Sequence, residues 1–173
     1  TDKAVRYVSA TEGNFVIAMG RSTMNPISDE SGRAFFGDGY KFEYGKVDVV
    51  RKGKGVTIVT TGQVTHKAVE AADKLRSEGI EVTVLNVSCP LEADFDSVKE
   101  HLSKVVITAE DHNVESGLGT ILSDYLIDSK IMPERFEKLG VERYMFSGDN
   151  ELLFDLCGLS SGKMVEKIRR IAR

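Results

Sequence analysis

Residues 105–126 read VVITAEDHNVESGLGTILSDYL and carry the clearest secondary-structure pattern of the chain. The stretch opens with three β-branched apolar residues, a run that is too short for a helix and typical of a parallel strand buried on both faces. From Leu118 onward the spacing of the apolar residues becomes helical. The residues on that face are Leu118, Ile121, Leu122, Tyr125 and Leu126. The stretch therefore predicts a strand, a turn and a helix.

The predicted turn carries the polar residues of this stretch. Glu110, Asp111 and His112 follow the strand, which is where open α/β sheets place their sites. A histidine flanked by carboxylates can act as a general acid or base. The alternative, which the spacing favours, is that the carboxylates cap the following helix while His112 fastens the turn to a neighbouring domain. Gly117 and Gly119 allow that helix to start close to neighbouring backbone.

The composition is that of an ordinary globular protein. The chain has 173 residues, of which 41% are hydrophobic and 29% are charged, so it can form one full core and part of another. The formal net charge is -4, and Lys and Arg are scattered through the chain rather than gathered in a basic stripe. We therefore expect no nucleic-acid partner. No apolar run suggests a membrane span.

Cysteine and histidine usage gives no sign of a metal site. Cys89 and Cys157 lie far apart and form no CxxC pair, which is typical of a cytoplasmic protein. His66, His101 and His112 do not share a helical face, and there is no HExxH motif. We expect this chain to hold no metal by itself.

The chain divides near residue 40. Apolar residues near the start suggest the end of a helix, and residues 15–19 suggest a strand, but one helix and one strand cannot form a domain. Residues 20–41 have no apolar period and suggest a long connection. We expect residues 1–30 to be the end of an incomplete domain, 31–41 a linker and 42–173 a full domain. The start at Thr1, without Met, suggests a piece of a longer protein.

The full domain alternates strands and helices. Strands are predicted near residues 47–49, 56–60, 80–87, 105–107 and 136–141, with helices after the second, third, fourth and fifth. This order predicts an α/β fold with three layers, α/β/α, and a mostly parallel five-stranded sheet. The first strand alternates polar and apolar residues, which indicates an antiparallel edge strand.

A few residues elsewhere are further candidates for chemistry. Asp38 lies in a Gly-Asp-Gly triplet like that of thiamine diphosphate loops, but no Asn lies between Gly39 and Asn86, so a turn is favoured. Ser116 lacks the GxSxG context, and Cys89 before Pro90 suits a core position. Arg21 follows the predicted strand 15–19 and could bind a phosphate bidentately, although most such arginines are solvated.

Three segments together resemble the transketolase C-terminal domain. They are FEYGKVDVVRKGKGVTIVTTGQVTHKAVEAADKLRSEGIEVTVLNV, AEDHNVESGLGTILSDYL and SGDNELLFDLCGLSSGKMVEKI, and they cover about residues 42–173. Upstream, AVRYVSATEGNFVIAMGR resembles the end of the family's pyrimidine-binding domain. There the family has an Arg that grips the substrate's phosphate, and this residue matches Arg21. Ser116 departs from the family, which usually has the first Gly of GGxG there.

The resemblance implies a transketolase that transfers a two-carbon ketol unit between sugar phosphates, using thiamine diphosphate and Mg2+. The family's diphosphate loop and its activating Glu have no counterpart here, so we expect no cofactor binding and no activity from this chain alone. Those parts must lie in the remaining transketolase domains or in a separate N-terminal subunit. The resemblance further implies that the complete enzyme is a homo-oligomer, namely a dimer. It also implies a cytoplasmic enzyme of the pentose phosphate pathway.

Alternatives stay open at this point. 1-Deoxyxylulose-5-phosphate synthase and the β subunit of 2-oxoacid dehydrogenase E1 share this domain, although Arg21 and the acidic-His turn favour the sugar-phosphate enzymes. Outside the enzymes, the alternative is a non-catalytic binding, regulatory or assembly module. The lack of cofactor motifs supports that alternative.

Overall fold

The computed structural model describes residues 1–20 and 23–172. Arg21, the predicted phosphate-binding residue, lies outside the described residues, as do Ser22 and Arg173. In the described part of the chain, no helix is long and apolar enough to cross a membrane.

A five-stranded sheet forms the centre of the domain. Its strands are β1 (Val47–Arg51), β2 (Val56–Thr60), β3 (Val82–Val87), β4 (Val105–Asn113) and β5 (Arg135–Val141). Their spatial order is β1-β3-β2-β4-β5. Strand β1 runs antiparallel to β3 at one edge, and the other three pairs are parallel. The predicted mostly parallel sheet with an antiparallel edge strand is confirmed.

Helices cover both faces of the sheet. They are α2 (Val64–Arg76), α3 (Leu118–Asp128), α4 (Asn150–Leu156) and α5 (Ser161–Ile171). A further helix, α1 (Asp2–Ser9), precedes the sheet and has no buried residue. Strand side chains alternate between the two faces. Ile58 of β2 accordingly packs in a cluster with residues of α2, α4 and α5, whereas the adjacent Val59 packs in a second cluster with residues of α3. The predicted three-layer α/β/α arrangement is confirmed.

The helix predicted after the third strand is a 3-10 helix, Asp96–His101, preceded by a shorter one, Pro90–Glu92. The side chain of Asp94, just before it, accepts a hydrogen bond from the backbone N–H of Ser97 in its first turn, at 3.1 Å. At its end, the backbone N–H of Leu102 donates to the Lys99 carbonyl, an i to i−3 bond. Such tighter turns are common in short connections of this kind.

The strand predicted at residues 15–19 is wrong. Residues 14–20 have no regular secondary structure, and Val16 is 96% exposed. A strand needs a neighbour to share its backbone hydrogen bonds, and none of the described strands pairs with this segment.

The predicted connection makes specific contacts with the domain. Ile27, Phe35 and Phe36 pack against the cluster beneath α2 and α5. The Tyr40 hydroxyl donates to Asp48 Oδ2 of β1 at 2.9 Å. The segment that precedes the domain therefore packs on it, rather than running free over its surface.

Candidate functional site

Strand β4 is longer than predicted, and this changes the position of the acidic-His residues. Thr60, the last residue of β2, pairs with Ala109, but β4 continues to Asn113, which pairs with Val141 of β5. Glu110, Asp111 and His112 therefore belong to the strand and not to a turn. They project past β2 at the carboxyl edge of the sheet, because β5 gives this part of β4 a partner.

Glu110 is an internal helix cap. Its side chain is fully buried. Its Oε2 accepts from the backbone N–H of Leu118 at 2.6 Å, and its Oε1 accepts from that of Gly119 at 2.8 Å. These N–H groups belong to the first turn of α3 and have no partner within the helix, and a carboxylate is favoured there by the helix dipole. The capping interpretation of the cluster is confirmed for Glu110.

Two glycines make this cap sterically feasible. A Cβ on Gly117 would lie 1.7 Å from Glu110 Oε2. A Cβ on Gly119 would lie 2.6 Å from Thr108 Oγ1 and 2.8 Å from Lys138 Cγ. The predicted close approach at Gly117 and Gly119 is confirmed. Ser116 is exposed, so its departure from the family pattern does not affect this contact.

Asp111 and His112 do not join Glu110 in a catalytic cluster. Both are exposed, whereas the Glu110 carboxylate is turned inward and occupied by two backbone donors. A contact of Asp111 and His112 with another domain stays a prediction. Glu110 is not available for such a contact, because it is buried within this domain.

A cleft of about 530 Å³ opens beside Asp111, where β4 and β5 end and α4 begins. Its lining includes Asp111, Tyr144, Phe154 and Cys157. Burial raises the pKa of the Cys157 thiol, and the negative charges of Asp111 and Glu142 add to the effect, which disfavours the thiolate form that a nucleophile requires. Sequence reasoning missed the cleft, because its walls come from segments far apart in the chain.

A chain of buried polar side chains crosses the carboxyl ends of β2 and β3. Thr60 Oγ1 lies 2.8 Å from Thr65 Oγ1, and the Thr65 hydroxyl donates to Asn86 Oδ1 at 2.9 Å. Asn86 lies opposite Asp48 of β1, which accepts from the Tyr40 hydroxyl. Sequence reasoning missed this network too, although polar residues inside otherwise apolar strands were a usable signal.

The Gly-Asp-Gly triplet forms a turn, as predicted. The backbone N–H of Tyr40 donates to the Gly37 carbonyl at 3.1 Å. The Asp38 side chain is fully exposed and lies 3.8 Å from Lys3 Nζ. Among the described residues there is no group of three or more His, Cys, Asp or Glu side chains that could hold a metal ion.

Comparisons with known proteins agree with this fold. The family model of the transketolase C-terminal domain matches residues 45–164. A transketolase family protein of Sinorhizobium fredii is 31% identical over 97% of this chain and 48% of its own length. One of the apulose-4-phosphate transketolase subunits of Actinobacillus succinogenes is 33% identical over 75% of this chain and 42% of its own length.

A third relative is the 1-deoxy-D-xylulose-5-phosphate synthase of Desulfitobacterium hafniense, which is 30% identical over 73% of this chain and 20% of its own length. This chain thus spans less than half the length of each of these relatives.

Solved structures show the same similarity. A split-gene transketolase, solved as an inactive β4 tetramer, superposes with a TM-score of 0.71 at 31% identity, over 78% of this chain and 45% of that one. The transketolase of Leishmania mexicana shares the fold, with a TM-score of 0.55 at 20% identity, over 73% of this chain and 18% of that one. From the domain match and the relatives together, the chain belongs to the transketolase family and carries its C-terminal domain.

Proposed function

We propose that this chain is the C-terminal section of a transketolase, which transfers a two-carbon ketol unit between sugar phosphates once the cofactor-binding domains are present. The observation that carries the proposal is the family match over residues 45–164, which coincides with the folded domain. Two similar proteins, the apulose-4-phosphate transketolase subunit and the split-gene transketolase, support a chain that works with a separate partner polypeptide.

The described residues do not fit thiamine diphosphate or Mg2+. Magnesium takes oxygen ligands in a near-octahedral arrangement, whereas Asp38 is exposed beside the Lys3 amine and Glu110 is used as a helix cap. In this proposal the remaining transketolase domains, or a separate N-terminal subunit, hold the cofactor. The chain itself contributes substrate contacts and assembly surface.

The proposed assembly is a homo-oligomer in the cytoplasm. The split-gene relative was solved as a β4 tetramer, which supports self-association of the corresponding polypeptide. Cys89 and Cys157 are free thiols, as is usual in a reducing compartment.

We assign the substrate phosphate to Arg21, on the strength of its match to the family's phosphate-gripping arginine. Gly20, the residue before it, lies against the side chain of Gln63, so close that a Cβ on Gly20 would meet Gln63 Nε2. Gln63 is the residue that immediately precedes α2, at the carboxyl edge of the sheet where open α/β sheets bind ligands.

Kinetics of an Arg21→Ala variant of the assembled enzyme test this role. A bidentate charge-assisted contact to phosphate contributes about 1.5 to 3 kcal/mol, so KM for phosphorylated acceptors should rise roughly tenfold to hundredfold. Arg21→Lys should recover only part of the loss, because an ammonium keeps the charge but not the planar fork.

Non-phosphorylated sugars are the control, because they never make the contact. Their kinetics should barely change in Arg21→Ala. If both substrate classes were weakened equally, Arg21 would be structural and the phosphate assignment would be wrong.

The similarity to 1-deoxy-D-xylulose-5-phosphate synthase supports a second candidate within the same family. Product analysis separates the two. Transketolase yields sugar phosphates that differ by a two-carbon unit, whereas the synthase yields 1-deoxyxylulose 5-phosphate. Absence of both products from the assembled protein would favour the non-catalytic module.

A further inference from the structure

Strand β5 leaves one edge of the sheet open. It pairs with β4 on one side, and no other described strand pairs with it on the other side. The backbone N–H of Arg135 donates to the Lys104 carbonyl, in the direction of β4. Because successive N–H groups of a strand point in opposite directions, those of Phe136 and Lys138 point toward the open edge.

Charged residues of both signs line this edge. The sequence of residues 134–138 is Glu-Arg-Phe-Glu-Lys. An antiparallel copy placed about a two-fold axis at Phe136 sets Glu134 opposite Lys138 of that copy and Arg135 opposite its Glu137. All four cross-strand charge pairs are then attractive, and such pairs stabilise strand pairing.

Other positions of the two-fold axis at the charged residues of β5 are disfavoured. An axis at Arg135, Glu137 or Lys138 sets that residue opposite itself, and like charges directly opposite one another destabilise a sheet. A register halfway between two residues is excluded as well. It would set outward-pointing N–H groups opposite residues whose own groups point to β4.

We propose that β5 is an interaction surface for a second copy of this chain, paired antiparallel about Phe136 to give one continuous sheet across both copies. Phe136 is partly buried against the core cluster under α3, so the two rings meet on the same face. The proposal names a surface for the self-association put forward above, and it does not depend on ketol transfer.

The charges on this edge are not explained by protection alone. Natural edges avoid pairing by carrying charges, especially Lys, that repel an incoming strand. An edge with one sign of charge repels a copy of itself in every register, whereas the mixed order here permits one attractive register. Within one copy Arg135 lies 2.5 Å from Glu137, and Glu137 also pairs with Lys167 of α5. Lys138 Nζ donates to Thr120 Oγ1 at 2.9 Å. Pairing with a second copy therefore exchanges part of these contacts within the chain for contacts across the edge.

Two charge-reversal variants and their mixture test the register. In Arg135→Glu two copies oppose Glu to Glu, and in Glu137→Arg they oppose Arg to Arg. Each variant alone should associate roughly tenfold or more weakly than the wild-type chain. A mixed pair opposes Glu to Arg at all four positions, so an equimolar mixture should regain wild-type association as a heterodimer.

The mixture isolates the contact between copies, because contacts within each chain are the same before and after mixing. Sedimentation velocity of the full chain, without substrate or cofactor, measures association, and native mass spectrometry identifies the heterodimer. Circular dichroism checks the fold of each variant. Glu134→Lys and Lys138→Glu form a second complementary pair, which repeats the test if either of the first two variants misfolds.

Recovery in the mixture supports the proposal. A wild-type chain that stays monomeric at about 100 μM would overturn it. So would variants that associate as the wild type does, or a mixture that associates as weakly as its components. Since no turnover is measured, failure here leaves the proposed ketol transfer standing, and failure of ketol transfer leaves this interface standing.

Discussion

At the scale of single residues, Glu110 ties the end of β4 to the start of α3. Its two carboxylate oxygens accept from Leu118 and Gly119 in a fully buried setting. Glu110→Gln replaces one acceptor oxygen with an NH2 group that faces a backbone N–H. We expect the free energy of unfolding to fall by about 1.5 to 3 kcal/mol, measured by urea denaturation.

Glu115→Gln is the matched control, because Glu115 is exposed in the loop between β4 and α3. Its urea midpoint should stay close to that of the wild type. Equal midpoints for the two variants would contradict the cap.

Gly117 is the second residue on which this contact depends. A Cβ at Gly117 would lie 1.7 Å from Glu110 Oε2 and 3.0 Å from the Asn113 carbonyl. Gly117→Ala therefore has to displace a carboxylate held by two hydrogen bonds, and we expect a loss of about 1 to 3 kcal/mol in the same denaturation measurement.

Gly162→Ala is the control for the substitution itself. No atom lies within 4 Å of a Cβ added at Gly162 in α5, so alanine should be tolerated or should stabilise by up to about 1 kcal/mol. If Gly117→Ala were as stable as Gly162→Ala, the Glu110 side chain would be able to move aside freely, and the predicted loss would be wrong.

Residue-level prediction from sequence worked where one local rule decided the outcome. A carboxylate before a helix and two glycines at its start predict a cap and a close approach, and the structure has both at Glu110, Gly117 and Gly119. The grouping of Glu110 with Asp111 and His112 failed. Asp111 is the next residue of the strand and points to the face opposite Glu110. The pairing of β4 with β5 shifts register between Ala109 and Asn113, and a pairing with a strand more than 20 residues later could not be predicted from the local pattern.

At the scale of elements, the segment before β1 is fixed to the sheet by Tyr40. Its hydroxyl donates to Asp48, whose side chain is buried in β1 beside Asn86. Tyr40→Phe leaves that carboxylate without its hydroxyl donor. We expect a loss of about 1.5 to 3 kcal/mol, the usual range for a hydrogen bond to a charged group, and faster proteolysis near residues 27–40.

Tyr144→Phe is the control, since Tyr144 is fully exposed. A Tyr40→Phe variant as stable and as protease-resistant as Tyr144→Phe would mean that the segment is held by Phe35 and Phe36 alone.

The same contact predicts the direction of a pH effect. Burial, with the hydrogen bond and the charge of Asp48 adding to it, raises the pKa of Tyr40 well above its usual range. The folded state therefore holds this proton more tightly than the unfolded state, and the stabilisation is lost as pH rises above about 10. Absorbance of tyrosinate should show a highest-pH step that is missing in Tyr40→Phe.

Most elements were predictable because their periodicity is local. Short β-branched apolar runs, the alternation in β1 and the period-3.6 patterns predicted the five described strands and helices α2 to α5. The strand at 15–19 failed because pairing, not local pattern, makes a strand. The sequence predicted a helix near Asp96–His101 but not that it is a 3-10 helix, because periodicity does not distinguish short α-helical turns from 3-10 turns.

At the scale of the whole molecule, the chain has a packed part and a loosely held start. Helix α1 has no buried residue, and Val16 and Met19 are 96% and 63% exposed. So little buried apolar surface offsets little of the backbone entropy lost on ordering, which is about 1 to 2 kcal/mol per residue. Thermolysin should therefore cut within residues 1–26 first and leave the rest intact. Protection of residues 1–20 equal to that of the sheet would contradict this division.

The proposed division into residues 1–30, 31–41 and 42–173 can be refined by the same digestion. Ile27, Phe35 and Phe36 pack on the domain core, so a chain that starts at residue 27 should be more stable than one that starts at residue 42. The sequence did not predict this packing, because three apolar residues in a Gly-rich, aperiodic segment carry no recognisable period.

We propose that this chain completes a ketol-transferring enzyme whose cofactor is held by other domains or by another subunit. The test is an assay of ketol transfer between sugar phosphates in the presence of thiamine diphosphate and Mg2+. It compares the tagged chain purified alone with the assembled form, which is either the chain with its co-purified partner or the full native polypeptide. We predict turnover only in the assembled form, and cofactor binding by calorimetry only there. Micromolar cofactor binding by the chain alone would contradict this proposal, as would an assembled form that binds cofactor but transfers no ketol unit.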